Sequence, residues 1–207
     1  MKTDLTVILL VVLLPLPSLA QIDVRKGVKA GLNFATYGGS NAPSTNSSTA
    51  QYAFGAFVEV KFLNQFSIEP EAFYSVKGTN EIITAIVLGL YDSRVTETLS
   101  YLEIPVLFKY YLPQFVPQMT VYAGPSVGFL LDARVRKEGP GPEYEMVIND
   151  QRTNTDFGLV VGSVATIPTG IVDATLDVRY YLGLTAISNN AKHQYNRVIT
   201  LLLGVSI

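Results

Sequence analysis

The chain is predicted to be all-β, an eight-stranded antiparallel up-and-down transmembrane barrel, and three observations carry that prediction. Eight stretches alternate apolar with polar residues, long and short connections take turns between them, and no apolar run beyond the first residues is long enough for a membrane helix. A strand in lipid presents apolar side chains outward and tolerates polar groups on its other face. Only a closed barrel then pairs every backbone N–H and C=O within a bilayer.

The N-terminus reads Met1-Lys2-Thr3-Asp4, an uncharged run over 5–14, then Pro15-Leu16-Pro17-Ser18-Leu19-Ala20. A short apolar core ending in a Ser-x-Ala site predicts a signal peptide over 1–20, cut before Gln21, with 21–207 as one outer-membrane barrel domain. A membrane anchor is the other reading, but the run is short and broken by two prolines.

The first stretch sets Val28, Ala30, Leu32 and Phe34 against Lys29, Gly31 and Asn33. In the second, Tyr52, Phe54, Ala56, Val58, Val60 and Phe62 oppose Ala53, Gly55, Phe57, Glu59 and Lys61. The third opposes Phe66, Ile68, Pro70, Ala72, Tyr74 and Val76 to Ser67, Glu69, Glu71, Phe73, Ser75 and Lys77. The fourth sets Leu102, Ile104, Val106, Phe108 and Tyr110 against Tyr101, Glu103, Pro105, Leu107 and Lys109. In the fifth, Val121, Ala123, Pro125, Val127 and Phe129 face away from Thr120, Tyr122, Gly124, Ser126 and Gly128. The sixth has Phe157, Leu159, Val161 and Ser163 opposite Asp156, Gly158, Val160 and Gly162. The seventh opposes Val172, Ala174, Leu176, Val178, Tyr180 and Leu182 to Asp173, Thr175, Asp177, Arg179, Tyr181 and Gly183. The eighth turns Ile199, Leu201, Leu203, Val205 and Ile207 outward. Strict period two over such lengths specifies strand.

Segments 38–50, 78–97, 132–154 and 185–195 are long polar or mixed connections, whereas 63–65, 112–118 and 167–170 are short. Short turns on one rim and long loops on the other are the outer-membrane pattern, with both termini on the short-turn side and the long loops outside the cell. Alternation alone does not say which face meets lipid, since a soluble lipocalin-type barrel would turn its apolar face inward. The second face mixes Gly, Ser and Thr with charges of both signs, which suits a narrow lumen. Tyr52, Tyr74, Tyr110 and Tyr180 near strand ends suit an interfacial girdle. Pro70, Pro105 and Pro125 lie inside strands, where the missing N–H predicts local bulges.

Composition narrows the function. Charged residues are 15% of the chain and the formal net charge is -2, so no basic excess points to nucleic acid. Cysteine is absent, which removes disulfides, thiolate metal sites and a lipoprotein anchor. No cofactor or metal motif is present, and the expected surroundings are outer-membrane lipid and lipopolysaccharide. His193, the one histidine, has no Ser-His-acid spacing around it, so no catalytic residue is assigned.

The segment Tyr101-Leu102-Glu103-Ile104-Pro105-Val106-Leu107-Phe108-Lys109-Tyr110-Tyr111 resembles a signature of the PorT-like outer-membrane β-barrel family. Phe66-Ser67-Ile68-Glu69-Pro70-Glu71-Ala72-Phe73-Tyr74, Tyr122-Ala123-Gly124-Pro125-Ser126-Val127-Gly128 and Asp156-Phe157-Gly158-Leu159 fit the same family. The resemblance implies a small eight-stranded, porin-like barrel of the Bacteroidetes lineage and explains the tolerated prolines. The namesake takes part in secretion across the outer membrane, a role that does not pass to every relative. Such chains often end in an aromatic residue, whereas this one ends in Ile207.

Inward charges are the first site candidates: Glu59, Lys61, Glu69, Glu71, Lys77, Glu103, Lys109, Asp177 and Arg179. Buried charges must pair, so the expected arrangement is an ion-pair network filling the lumen. The functional alternative is a gated polar path with Glu103 and Arg179 as a switchable pair. Ile82, Ile83, Ile86, Val87, Leu88 and Leu90 form an apolar stretch in the second loop, either a protein-contact site or strands continuing above the membrane. In the third loop, Arg134, Arg136 and Lys137 precede a Gly/Pro turn and Glu143-Tyr144-Glu145. This predicts a hairpin with cross-strand charge pairs, the alternative being a grip on lipopolysaccharide phosphates. The expected role is a non-enzymatic integral outer-membrane protein whose external loops mediate structural or adhesion-type contacts. A component of a secretion or transport assembly comes second, by resemblance, and a lipid A-modifying enzyme third.

Overall fold

Period-two alternation becomes nine strands: β1 (Asp23–Gly38), β2 (Ser47–Leu63), β3 (Phe66–Ile86), β4 (Leu90–Leu112), β5 (Gln118–Glu138), β6 (Tyr144–Val147), β7 (Thr155–Pro168), β8 (Asp173–Gly183) and β9 (Tyr195–Ser206). The computed structural model describes residues 23–40, 47–86, 90–112, 118–139, 142–188 and 194–207, so the signal peptide expected over 1–20 lies outside the described residues. All strands but β6 build the barrel wall, each antiparallel to its neighbours. Pairing of β1 with β9, from Gly27 against Ser206 to Gly38 against Tyr195, closes it. Lys26 and Ile207 extend that seam by exchanging backbone hydrogen bonds of 3.0 and 2.9 Å.

The faces sort as the alternation predicts. Val28, Leu32, Phe54, Val58, Phe108, Phe157, Leu176 and Leu201 are exposed outward, while Lys29, Asn33, Glu59, Glu71, Asp177 and Arg179 are buried within. Tyr52, Phe54 and Tyr74 stack on the outer wall with centroids 5.4 to 6.4 Å apart. Val76 is the exception: expected outward, it is buried. β2 and β3 lose register between Ser48 and Ala53, where residues 49–52 face 76–78. The Val76 carbonyl there accepts a hydrogen bond from Asn33 Nδ2 at 2.8 Å.

The expected bulges at the prolines do not form. Register is unchanged across each proline, and one ladder simply skips the pairs beside it: β2–β3 at Pro70, β3–β4 at Pro105, β4–β5 at Pro125. The missing N–H is absorbed by a gap, which spares the inward–outward alternation that a one-residue slip would invert. Opposite Pro125 the Val106 carbonyl crowds Gly124, where an added Cβ would collide with its oxygen. Gly124→Ala is therefore expected to lower stability by about 1–3 kcal/mol, read as a shifted urea midpoint in lipid vesicles. The register shifts lie elsewhere, in β2–β3 and at Ser100/Tyr101 of β4–β5.

The second loop is mostly strand. β3 and β4 stay paired up to Ile86 against Leu90, so segment 78–97 is not the connection its composition suggested. β5 likewise continues to Glu138 and carries β6 on its upper edge. Together β3, β4, β5 and β6 form a blade standing above the lipid-facing wall.

Below the blade, the returning chain folds over the mouth. Ile148 and Ile187 bury against Tyr37, Leu99, Tyr101 and Ala133. A 3-10 turn (Asn149–Gln151) is anchored by Asn149 Oδ1, which accepts from the Ala133 N–H at 2.6 Å. A bridge between Arg152 and Ser188, and the Thr153 N–H donating to the Ile187 carbonyl at 3.1 Å, tie the third loop to the fourth.

Candidate functional site: the charged lumen and the outer blade

Narrow barrels turn their second face into a packed interior, so every inward charge must find partners across the axis. Lys29 of β1 is the hub. Its Nζ lies 2.7 Å from Glu69, 2.6 Å from Glu71 and 3.1 Å from Asp177. Arg179 grips Glu71 through two bonds of 2.6 and 3.1 Å and reaches Asp177 at 2.5 Å. Lys109 bridges Glu69 at 2.7 Å and Glu59 at 3.3 Å. Hydroxyls complete the carboxylates: Tyr111 and Ser67 donate to Glu59, and Tyr122 donates to Asp177.

A second knot lies nearer the cap. Lys77 pairs with Glu103 and, at 3.2 Å, with Asp156, whose Oδ2 also accepts from Asn196 Nδ2 at 2.8 Å. The Lys77 ammonium sits 3.5 Å from the Tyr181 ring centroid and 5.1 Å from that of Tyr101. Above it, Arg152 reaches Glu97 at 2.5 Å. Carboxylates outnumber cations in the two knots, and the phenol, hydroxyl and amide donors carry the surplus.

Of the sequence candidates, Glu59, Glu69, Glu71, Lys109, Asp177 and Arg179 meet in the first knot, and Lys77 and Glu103 in the second. Glu103 and Arg179 do not pair: each is engaged in its own knot, so the pair envisaged as a switch is not assembled. Lys61 makes no ion pair among the described residues. It lies at the wall's lower end with its ammonium 4.6 Å from the Tyr111 ring centroid. Sequence reasoning missed Lys29, Asp156, Tyr111 and Tyr122. Alternation put Lys29, Asp156 and Tyr122 on the inward face, and Tyr111 follows by the same parity.

Among the described residues the lumen holds two small voids. A void of about 20 Å³ lies among Asn33, Ser75, Glu103, Ser126, Arg179 and Thr200, and one of about 10 Å³ beside Glu59, Lys109 and Tyr111. Each has room for about one water. Neither is a water column.

On the blade, Arg134 pairs with Asp132 at 2.6 Å and with Glu145 at 3.1 Å, and Arg136 with Glu138 at 3.1 Å. The hydrogen bonds that Arg134 donates to Asp132 and then to Glu145 hold its guanidinium pKa above the ordinary value. The hairpin read from the basic and acidic arms is thus present, with Arg136 facing Glu145. Val87 and Leu88 of the apolar candidate stretch lie outside the described residues, as does His193, and Ile82, Ile83, Ile86 and Leu90 are described as backbone only.

The family profile described as outer membrane protein beta-barrel domain matches residues 19–189. No curated protein matches the chain. Among solved structures, Neisserial surface protein A is similar over 91% of this chain and 99% of its own, at 13% identity and a TM-score of 0.45. Ail, the attachment invasion locus protein of Yersinia pestis, shares 10% identity over 89% of this chain and 97% of its own, with a TM-score of 0.43. The outer membrane protein OprG from Pseudomonas aeruginosa shares 10% identity over 89% of this chain and 94% of its own, with a TM-score of 0.46. With the family profile spanning most of the chain and the wall closed, the protein belongs to the outer membrane protein beta-barrel domain family and resides in the bacterial outer membrane.

Proposed function

We propose that the protein is a non-enzymatic barrel whose interior is a structural plug and whose outer blade mediates contacts beyond the membrane, in a structural or adhesion-type role. The observation that carries this reading is the packed lumen: among the described residues, two ion-pair knots under a loop cap enclose voids of about 20 and 10 Å³. The polypeptide outside lipid is instead spent on paired strands, β3 to Ile86, β5 to Glu138 and β6. Planar-bilayer recording of the purified barrel tests it. The expected trace is silent, with Glu103→Ala silent as well, and steady conductance steps from the wild type would sink the plug.

A second reading, a component of a secretion or transport assembly, is favoured by Leu102-Glu103-Ile104-Pro105 and its resemblance to PorT-like barrels. A stoichiometric partner retained through purification from native membranes would support it.

A further inference from the structure

β6 is paired along one edge only. The sheet order ends at it, and among the described residues no strand lies on its other side. All its residues are exposed, Tyr144 by 47%, Met146 by 54% and Val147 by 58%. The Ile148 N–H donates to the Ala133 carbonyl at 2.8 Å. Antiparallel ladders alternate, so Met146 and Tyr144 turn their backbone groups toward β5, while Glu145 and Val147 turn N–H and C=O toward the open edge.

Such an edge is a template for another extended chain. Its side chains state what that chain must carry. Tyr144 and Met146 share the face of Val135, which packs on the cap cluster, and form an apolar strip with no neighbour on the open side among the described residues. Glu145 lies on the opposite face, and its pair with Arg134 is half-exposed on both sides and weakly held.

We propose that β6 accepts an added β-strand from another polypeptide, an extended segment alternating cationic with apolar residues. The cation stands across from Glu145, and the apolar side chains cover Tyr144 and Met146. This rests on the contact role proposed above and names the partner's chemistry.

The test uses the full barrel in zwitterionic nanodiscs and a fluorescein-labelled heptapeptide alternating lysine and valine, beside a copy N-methylated at alternate amides. The wild type is expected to bind the first peptide and to bind the methylated copy about tenfold more weakly, for lost hydrogen bonds. Val147→Pro removes an N–H that does not serve the β5–β6 ladder and should weaken binding by about tenfold. Val147→Thr should bind as the wild type does, and heat-modifiable migration reports whether each variant is folded. Equal binding of the two peptides, or undiminished binding by a folded Val147→Pro, overturns the proposal. A dimer that Val147→Pro abolishes, with no peptide bound, does so too. If deleting 134–147 abolishes cell-surface attachment while Val147→Pro preserves it, strand addition fails and the contact role survives.

Discussion

Lys29→Met is expected to destabilise the barrel by about 3–5 kcal/mol, because it removes the cation that Glu69, Glu71 and Asp177 share in a buried interior. Lys29 is 3% exposed, and the three carboxylates around it are buried as deeply. Arg179 keeps its two bonds to Glu71, and Lys109 is the cation that stays paired with Glu69. Adding Glu69→Gln removes the least-supported charge while Lys109 still holds Glu59, so the double variant should recover about 0.5–3 kcal/mol. Lys61→Ala, by contrast, removes only a ring contact at the wall's lower end and should cost no more than about 1 kcal/mol. Urea titration in vesicles, followed by tyrosine fluorescence and gel migration, reads all three. A Lys29→Met midpoint equal to that of the wild type would show that the knot does not stabilise the fold.

Leu201→Arg should cost about 2–4 kcal/mol in a bilayer, since a guanidinium on the lipid face near mid-depth loses its water. Leu201 lies between Leu32 of β1 and Val178 of β8, all three pointing outward, so the substitution meets acyl chains and not a protein partner. Val24→Arg, at the end of the wall where β1 begins, should cost no more than about 1 kcal/mol because the side chain reaches the interface. A depth-dependent penalty is the signature of lipid, and a barrel with that face in water would show a flat profile. Folding yield into vesicles and the urea midpoint together measure it.

The two results bear on what a one-dimensional pattern can reveal. Parity assigned nearly every wall residue to its side, because lipid and a packed lumen impose opposite demands on neighbouring positions. Partnership was another matter. Lys29 meets Glu69 and Glu71 two strands away and Asp177 on β8, contacts set by barrel radius and stagger that parity does not contain. Tyr111 and Tyr122 were hidden because a phenol serves equally as a girdle or as a buried donor. Over 78–97 the pattern left continued strands and a contact loop both open, because the apolar–polar alternation fades in Thr79-Asn80-Glu81 and Thr96-Glu97-Thr98. The prolines misled in the opposite direction, since a gap in one ladder costs less than a slip in register.

The seam between the first and last strands sets the order of assembly. Val28 pairs with Val205, and Lys29 finds Asp177 far along the chain. Cations and carboxylates from opposite ends of the polypeptide therefore neutralise one another only when the cylinder shuts. A half-built sheet laid into lipid would present bare charges and an unsatisfied margin to hydrocarbon at once. Closure of the β1–β9 seam and burial of these charges are therefore expected to occur together, in one cooperative step.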